Sequence, residues 1–319
     1  MSNKRIAIYD TTLRDGAQGQ GISFSPSGKI RLAERLDAFG VDYIEGGYAG
    51  SNEKDMAFFR EIRKRELTHA KVVAFGATRR ANTKLSDDSM VQSMLDTETP
   101  AVAIVGKTWD LHVRDVLRTT DAENMAMIRE TVAHIKDHNR EVLFDAEHFF
   151  DGYKRNPEFA MTALQAAVDG GADVLVLCDT NGGTLPGEIT EITQTVVQTV
   201  KTPVSIHVHN DMGLAVANSI AAIHAGAIQI QGTINGYGER TGNANLISII
   251  PILELKLGYR CVHDGQLVKL SEVSRFVDEL TNQRPDSRAP FVGKSSFSHK
   301  AGQHANAVGK NPATFEHIP

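Results

Sequence analysis

The chain has 319 residues, of which 41% are hydrophobic and 23% charged, and its net charge of −5 at pH 7 excludes a strongly basic surface for nucleic acid. Its two cysteines are too few for a disulfide framework, and it lacks the run of about 20 apolar residues that a membrane-spanning helix needs. We therefore expect a globular cytoplasmic protein with reduced thiols, no signal peptide and no nucleic-acid or membrane partner.

Short β-branched runs recur along the chain. In order they are IAIYD, YIEGG, KVVAF, AVAIV, EVLFDAE, VLVLCDT, VSIHVHN and QIQGTIN. Helical patterns lie between them and an eighth, NLISIIPILELKLG, follows the last run. Ser25 and Pro26 are typical of an N-cap and a first helical residue, and they predict where the first helix begins. Eight such units in about 260 residues predict a (β/α)8 TIM barrel with a parallel sheet.

A doubly wound open sheet is the alternative fold. It would more often carry a glycine-rich phosphate turn after its first strand, and the segment DTTLRDG does not fit that pattern. From about Asp264 the pattern changes to one more helix, LVKLSEVSRFVDELTNQ, and then a weakly periodic segment. We predict a catalytic TIM-barrel domain over residues 1–263. A short, mostly helical C-terminal extension over residues 264–319 should follow, truncated before an absent regulatory domain.

Polar side chains are concentrated at the ends of six predicted strands. Reactive residues of such barrels lie where the strands end and the βα loops begin, so these positions are candidates for a site. They are Asp10, Arg14 and Asp15 after the first strand, Glu45 in the second, Glu147 in the fifth, Asp179, Thr180 and Asn181 after the sixth, His207 and His209 in the seventh, and Asn235, Glu239 and Asn243 after the eighth.

His207 and His209 are two residues apart on a predicted strand, so their side chains share one face. An imidazole pair of this kind suits a divalent metal whose shell is completed by carboxylate or amide oxygens. The alternative is a pair of buried, hydrogen-bonded histidines. The polar motifs DTTLRDG and GERTGN at neighbouring strand ends favour the metal site.

Arg14 lies beside Asp15, where a guanidinium next to a metal could stabilise negative charge on a ketone or enolate oxygen. A structural ion pair with Asp10 or Glu45 is the alternative, and the two roles are compatible. The segment GYGERTGN lacks the spacing of a nucleotide-binding glycine loop, so we interpret it as a close-approach turn that presents Asn243.

Four segments, YDTTLRDGAQ, HVHNDMGLAVANSIAAIHAGA, INGYGERTGNANL and FSHKAGQHANAVGKNPATFEHI, together resemble the pyruvate-carboxylase/HMG-CoA-lyase-like metal-dependent barrels. Within that family the chain is most similar to the Claisen-condensing branch of 2-isopropylmalate, homocitrate and citramalate synthases. The segments GVDYIEGGYAGSNEKDMAFF, FDAEHFFDGYKRNPEFA and NPATFEHI resemble most the citramalate synthases. The resemblance implies a metal-dependent acyltransferase that condenses acetyl-CoA, its co-substrate, with pyruvate to give citramalate and CoA in isoleucine biosynthesis.

The resemblance also implies roles for individual residues. The metal, whether Mn²⁺, Mg²⁺, Co²⁺ or Zn²⁺, would be held by Asp15, His207, His209 and Asn243. Arg14 would polarise the keto oxygen, and Glu147 would position that arginine or the acyl group. Thr180 would bind the carboxylate of the keto acid, with Asp179 and Glu45 as further substrate-site residues. His304 would be the base, delivered by an extension that crosses a partner barrel in a homodimer.

Three other functions stay open at this stage. A methyl and an isopropyl group differ by only about 1–3 kcal/mol in an apolar pocket, so a 2-isopropylmalate or homocitrate synthase acting on another 2-oxo acid is one alternative. The second is an HMG-CoA-lyase-like C–C lyase, although that branch usually carries a cysteine where this chain has Glu239 and Arg240. The third is an inactive fragment that binds a metal or ligand.

Overall fold

In a computed structural model that describes residues 4–318, eight parallel strands form a closed barrel in chain order. The barrel closes where the last strand pairs with the first, with Gln231 opposite Tyr9. The predicted TIM barrel is thus confirmed. Residues 1–3 and 319, the outer ends of the two predicted domain ranges, lie outside the described residues. The strands are β1 (Ala7–Asp10), β2 (Tyr43–Tyr48), β3 (Lys71–Ala77), β4 (Ala101–Lys107), β5 (Glu141–Glu147), β6 (Val174–Asp179), β7 (Val204–Val208) and β8 (Gln229–Gly232).

Helices surround the barrel. Ser25 caps the first of them by accepting a hydrogen bond from Gly28 N at 3.0 Å, as the sequence predicts. The predicted eighth strand is too long, since the strand ends at Gly232 and the last residue of the predicted run, Asn235, adopts a left-handed φ of 65°. The helices are α1 (Pro26–Phe39), α2 (Glu53–Ile62), α3 (Ser89–Asp96), α4 (Asp110–His112), α5 (Asp121–Asp137), α6 (Phe149–Arg155), α7 (Pro157–Asp169), α8 (Pro186–Thr199), α9 (Ala215–His224), α10 (Leu246–Pro251), α11 (Leu270–Leu280) and α12 (Gly302–Lys310).

The buried core has two parts, one between the sheet and the helices and one inside the barrel. Phe75, Leu143 and Val176 belong to the inner part. Since alternate residues of a strand share a face, Asp145 points into the same interior as Leu143. The interior is therefore apolar along part of its length and gains buried polar side chains toward the carboxyl ends of the strands.

The segment after Asp264 contains two helices with different surroundings. Helix α11 packs against α1 and against the loop after β8, and it buries Leu270, Val273 and Val277. Helix α12 buries no residue. No helix within residues 4–318 has both the length and the apolar character needed to cross a membrane.

Two glycines offer a matched test of this packing. A Cβ at Gly46, in β2, would lie 2.1 Å from Cε1 of the fully buried Phe58 ring, whereas Gly187, in α8, has open space around it. We expect Gly46→Ala to lower the free energy of unfolding by about 1–3 kcal/mol through overpacking. Gly187→Ala should raise it by about 0.5–1 kcal/mol, since alanine is favoured over glycine within a helix. Urea unfolding measures both, and equal midpoints would contradict the packing described for β2 and α2.

Candidate active site

Three buried side chains converge at the carboxyl-terminal mouth of the barrel. His207 lies in β7, His209 directly follows that strand, and Asp15 lies in the loop after β1. The two histidine Nε2 atoms are 3.1 Å apart, and Asp15 Oδ2 lies 3.6 Å from that of His207 and 3.9 Å from that of His209. One ligand atom from each residue lies within 4.8 Å of the others, so the three could hold a single metal ion.

Asn243, the fourth predicted ligand, lies against the same cluster. Its Nδ2 donates to Asp15 Oδ1 at 3.0 Å, and its buried Oδ1 has no hydrogen-bond partner among residues 4–318. Its backbone pairs with that of His209 in an isolated bridge. The loop can approach so closely only with glycine at position 238, because a Cβ there would lie 2.2 Å from Asn243 Nδ2. The close-approach turn predicted for this segment is therefore present.

The electrostatic environment keeps the cluster ready for a cation. Burial lowers the pKa of His207, and burial together with His207 lowers the pKa of His209 to about 4. Both imidazoles are therefore neutral near pH 7 and retain a lone pair. Burial disfavours the charged form of Asp15, but the Arg14 guanidinium, the two histidines and the Asn243 hydrogen bond together outweigh this and lower the pKa of the carboxyl.

Arg14 connects the cluster to a second buried carboxylate. Its Nη1 donates to Asp15 Oδ2 at 3.0 Å, and its Nε donates to Glu45 Oε2 at 2.6 Å. Tyr9 and Thr11 also donate to Glu45, which has no exposed surface. Burial would lower the pKa of Arg14, but Glu45 and Asp15 raise it overall. Glu45 is thus placed to fix the guanidinium, and its oxygens are already occupied by donors.

Two residues that the sequence analysis missed hold His207 through the ring nitrogen that faces away from the cluster. Gln231 Nε2 donates to Asp145 Oδ1 at 3.4 Å, so its Oε1 faces His207 and accepts from Nδ1–H at 3.0 Å. This bond leaves the lone pair of His207 on Nε2, the atom that faces the cluster. Burial raises the pKa of Asp145 to about 8. The signal in the sequence was the alternation QIQ, which puts Gln229 and Gln231 on one face of a buried strand.

Two predicted residues have side chains that are engaged elsewhere. The Glu147 carboxylate pairs with Lys107 and not with Arg14. Asp179 accepts from the backbone N–H and the hydroxyl of Thr184, at 3.2 and 2.9 Å. Both therefore lie at strand ends around the mouth, but the structure does not join them to the metal cluster.

The Arg240 side chain links three loops at this mouth. Arg240 donates to both oxygens of Asp211, at 2.7 and 2.8 Å, and to the Thr180 carbonyl oxygen at 2.8 Å. The Thr180 hydroxyl accepts from His148 N at 2.9 Å. The loops after β6, β7 and β8 are thereby fixed to one another, and Thr180 is held from two sides.

His304 is placed differently from the other predicted residues. It lies on α12 and is exposed, and its ring stacks on Phe315 with the ring centroids 4.2 Å apart. The described contacts of this ring are within the terminal segment. The structure therefore does not bring His304 of this chain to the buried cluster.

The donor set fits a divalent cation. Two neutral imidazole nitrogens, one carboxylate and the unpartnered amide oxygen of Asn243 form a mixed nitrogen and oxygen shell, which suits Mn²⁺, Mg²⁺, Co²⁺ or Zn²⁺. A buried carbonyl oxygen without a partner is costly unless something binds it. This orphaned atom is therefore the strongest local indication of a ligand at the cluster.

Comparisons with known proteins agree on a family. A family model described as HMGL-like matches residues 5–277. The (R)-citramalate synthase of Aquifex aeolicus is 57% identical to this chain over 316 residues, which cover 99% of the chain and 60% of that protein. The 2-isopropylmalate synthase of Sulfurisphaera tokodaii is 35% identical, with 100% of this chain and 79% of that protein covered. The chain thus spans about 60% of the length of the citramalate synthase from Aquifex aeolicus.

Solved structures agree on the fold. The hydroxymethylglutaryl-CoA lyase of Pseudomonas aeruginosa superposes with a TM-score of 0.75 at 18% identity, covering 92% of this chain and 97% of that one. The carboxyl transferase domain of Rhizobium etli pyruvate carboxylase, solved as its Y628A variant with pyruvate, gives a TM-score of 0.65 at 17% identity, with 98% of this chain and 54% of that one covered. At these identities the likeness concerns the barrel and not its chemistry.

Proposed function

The chain belongs to the HMGL-like family, and from that premise we propose that it is the catalytic part of a citramalate synthase. The reaction would be the metal-dependent condensation of acetyl-CoA with pyruvate to give citramalate and CoA, a step of isoleucine biosynthesis. The observation that carries this proposal is the buried cluster of Asp15, His207 and His209, completed by the unpartnered oxygen of Asn243 and joined to Arg14.

We assign the chemistry to named groups as follows. Asp15, His207, His209 and Asn243 would hold a divalent cation, which would supply Lewis-acid polarisation and a fixed orientation of the keto acid. The Arg14 guanidinium faces the negative charge that develops on the former keto oxygen. The Thr180 hydroxyl binds the carboxylate of pyruvate beside Asp179. Glu45 keeps the guanidinium in position, and Glu147 lines the acyl end of the site.

A base has to remove a methyl proton from acetyl-CoA, and the resulting carbanion attacks the ketone carbon of pyruvate. The C=O π bond breaks, and the alkoxide that forms takes up a proton from the protonated base. Water then cleaves the thioester, releasing CoA and leaving the new carboxylate. We propose His304 for the proton transfer, on the basis of the segment AGQHANA. Since His304 is exposed on α12, it would serve the barrel of a second copy in a homodimer. The exposed rings of Phe297 and Phe315 in the same segment support such a contact.

Acetyl-CoA needs a route to the cluster. A cavity of about 560 Å³ opens beside Arg14, between the loops that follow β1 and β2. Tyr48 and Phe24 supply apolar surface there, and Gln18 and Lys54 supply polar groups. These features suit a thioester arm that ends in a charged nucleotide. We place the co-substrate in this cavity.

Three further proposals concern the protein as a whole. We retain the division into a barrel over residues 1–263 and an extension over residues 264–319. We place the protein in the cytoplasm, which is supported by two free, buried cysteines. We expect its partners to be small molecules and a second copy of the chain.

The first experiment measures CoA release from acetyl-CoA with a thiol reagent. Pyruvate, 2-oxoisovalerate, 2-oxoglutarate and no keto acid are compared, each with Mn²⁺ or with a chelator. We expect release with pyruvate and Mn²⁺ and at least about 100-fold less with the chelator, because the cation polarises the ketone. Release with a different keto acid alone would change the substrate but keep the reaction. Absence of release with all of them, in a chain that binds Mn²⁺, would contradict the proposal.

A further inference from the structure

We propose that helix α11 positions the metal ligand Asn243, and that Asp278 and Tyr237 transmit this effect. The inference rests on the proposed function, because it takes the cluster to be a cation site. It concerns residues that lie outside the cluster. Its consequence is that cation affinity depends on a helix of the extension.

The first link joins α11 to the loop after β8. Asn235 Nδ2 donates to Asp278 Oδ1 at 2.6 Å and to Ser274 O at 2.9 Å, and its Oδ1 accepts from Ser274 Oγ at 2.7 Å. Tyr237 OH donates to the same Asp278 oxygen. Asn235 is in the left-handed region with φ of 65°. Such a conformation persists where surrounding bonds determine it, and here α11 supplies them.

The second link joins this loop to the cluster. Tyr237 O accepts from Asn243 Nδ2 at 3.0 Å, while Gly236 O accepts from Asn243 N at 3.0 Å. The second Asn243 Nδ2 proton goes to Asp15. Both amide protons are therefore used, and the orientation of the free Oδ1 depends on where Tyr237 O lies. A shift of the Tyr237 backbone would rotate the ligand oxygen.

The hydrogen bonds between α11 and the loop after β8 are not needed to hold the helix on the barrel. Leu270, Val273 and Val277 already bury apolar surface against the barrel. Asp278 is only 5% exposed, and burying a carboxylate carries a desolvation cost that apolar packing would avoid. The carboxylate adds a defined geometry, because one of its oxygens accepts hydrogen bonds from two side chains of the same loop. This is the property that a support for a metal ligand requires.

The test deletes one hydroxyl at a time. Tyr237→Phe removes the bond to Asp278 without changing any backbone atom of the loop, so Tyr237 O is no longer held by α11. Tyr43→Phe is the matched control, because Tyr43 OH donates to Glu141 at 2.7 Å at the start of β2, away from the mouth. Calorimetric titration of the full chain with Mn²⁺ alone gives the Kd, and thermal unfolding without metal gives the Tm. We expect Tyr237→Phe to weaken Mn²⁺ binding about 10-fold, the lower end of the outer-shell range.

Tyr43→Phe should bind Mn²⁺ as the wild type does, whatever its Tm. Equal Kd values for wild type and Tyr237→Phe would overturn the inference while leaving the proposed function intact. A wild type that fails to bind Mn²⁺ would overturn both. Should Tyr237→Phe not fold, Asp278→Ala replaces it, since alanine has no acceptor for either bond. The same weakening is then expected, and an unchanged Kd would again reject the inference.

Discussion

Replacing Arg14 with lysine should lower kcat for CoA release by about 10²–10³-fold, the scale known for losing one donor to a developing oxyanion. Arg14 uses Nε for Glu45 and Nη1 for Asp15. Within residues 4–318 its Nη2 bonds to no protein group, so it can meet a substrate oxygen. A lysine carries one compact ammonium and cannot occupy both carboxylates while a third donor faces the substrate. Steady-state kinetics with pyruvate and Mn²⁺ measures the effect.

A second buried arginine provides the control. Arg79 donates to Glu123 at 2.7 Å and to Glu130 at 2.8 Å, and its side chain is as buried as that of Arg14. Arg79→Lys should lower stability and leave kcat near the wild-type value, because neither carboxylate belongs to the cluster. Near-normal turnover in Arg14→Lys, or an equal loss of kcat in both variants, would show that Arg14 has no role in charge stabilisation.

The barrel itself could be predicted because its determinants are local. Each strand is a short β-branched run, each helix has its own apolar period, and Ser25 caps α1 through a residue only three positions away. The shared face of His207 and His209 follows from strand geometry alone. The fold then dictates that strand ends meet, which is why Asp15 could be placed near both histidines although it precedes them by about 190 residues.

The supports of the site could not be predicted in the same way. The Gln231–Asp145 bond joins residues 86 positions apart, and the Asn235–Asp278 bond joins residues 43 apart. Such pairs depend on register, and on which of several nearby polar groups is in reach. Glu147 illustrates the limit, since Lys107, opposite it on β4, takes the carboxylate that the resemblance assigned to Arg14 or the acyl group. Strand periodicity gives the face of a residue but not its partner.

Replacing His209 with alanine should abolish the stabilisation of the chain by Mn²⁺. At a Mn²⁺ concentration 100 times Kd, binding to the folded state adds about 2.7 kcal/mol to the wild type. Loss of a direct ligand should weaken binding by more than the roughly 10–100-fold seen for outer-shell partners. The same variant should retain little or no CoA release. Thermal unfolding with and without Mn²⁺ measures the first effect and the thiol assay the second.

Thermal unfolding of His209→Ala without metal distinguishes a cation site from a histidine pair that only stabilises the fold. His209 Nδ1 is buried without a partner in the described chain, and burial lowers the pKa of the ring to about 4. Because one buried ring nitrogen of His209 has no hydrogen-bond partner, the side chain contributes little to stability by itself. His209→Ala without metal should therefore unfold near the wild-type Tm. His263→Ala, whose ring contacts His69 away from the cluster, should keep the full Mn²⁺ shift. A large loss of metal-free Tm in His209→Ala together with a retained Mn²⁺ shift would favour the structural pair, since the histidine would then stabilise the fold without binding the ion.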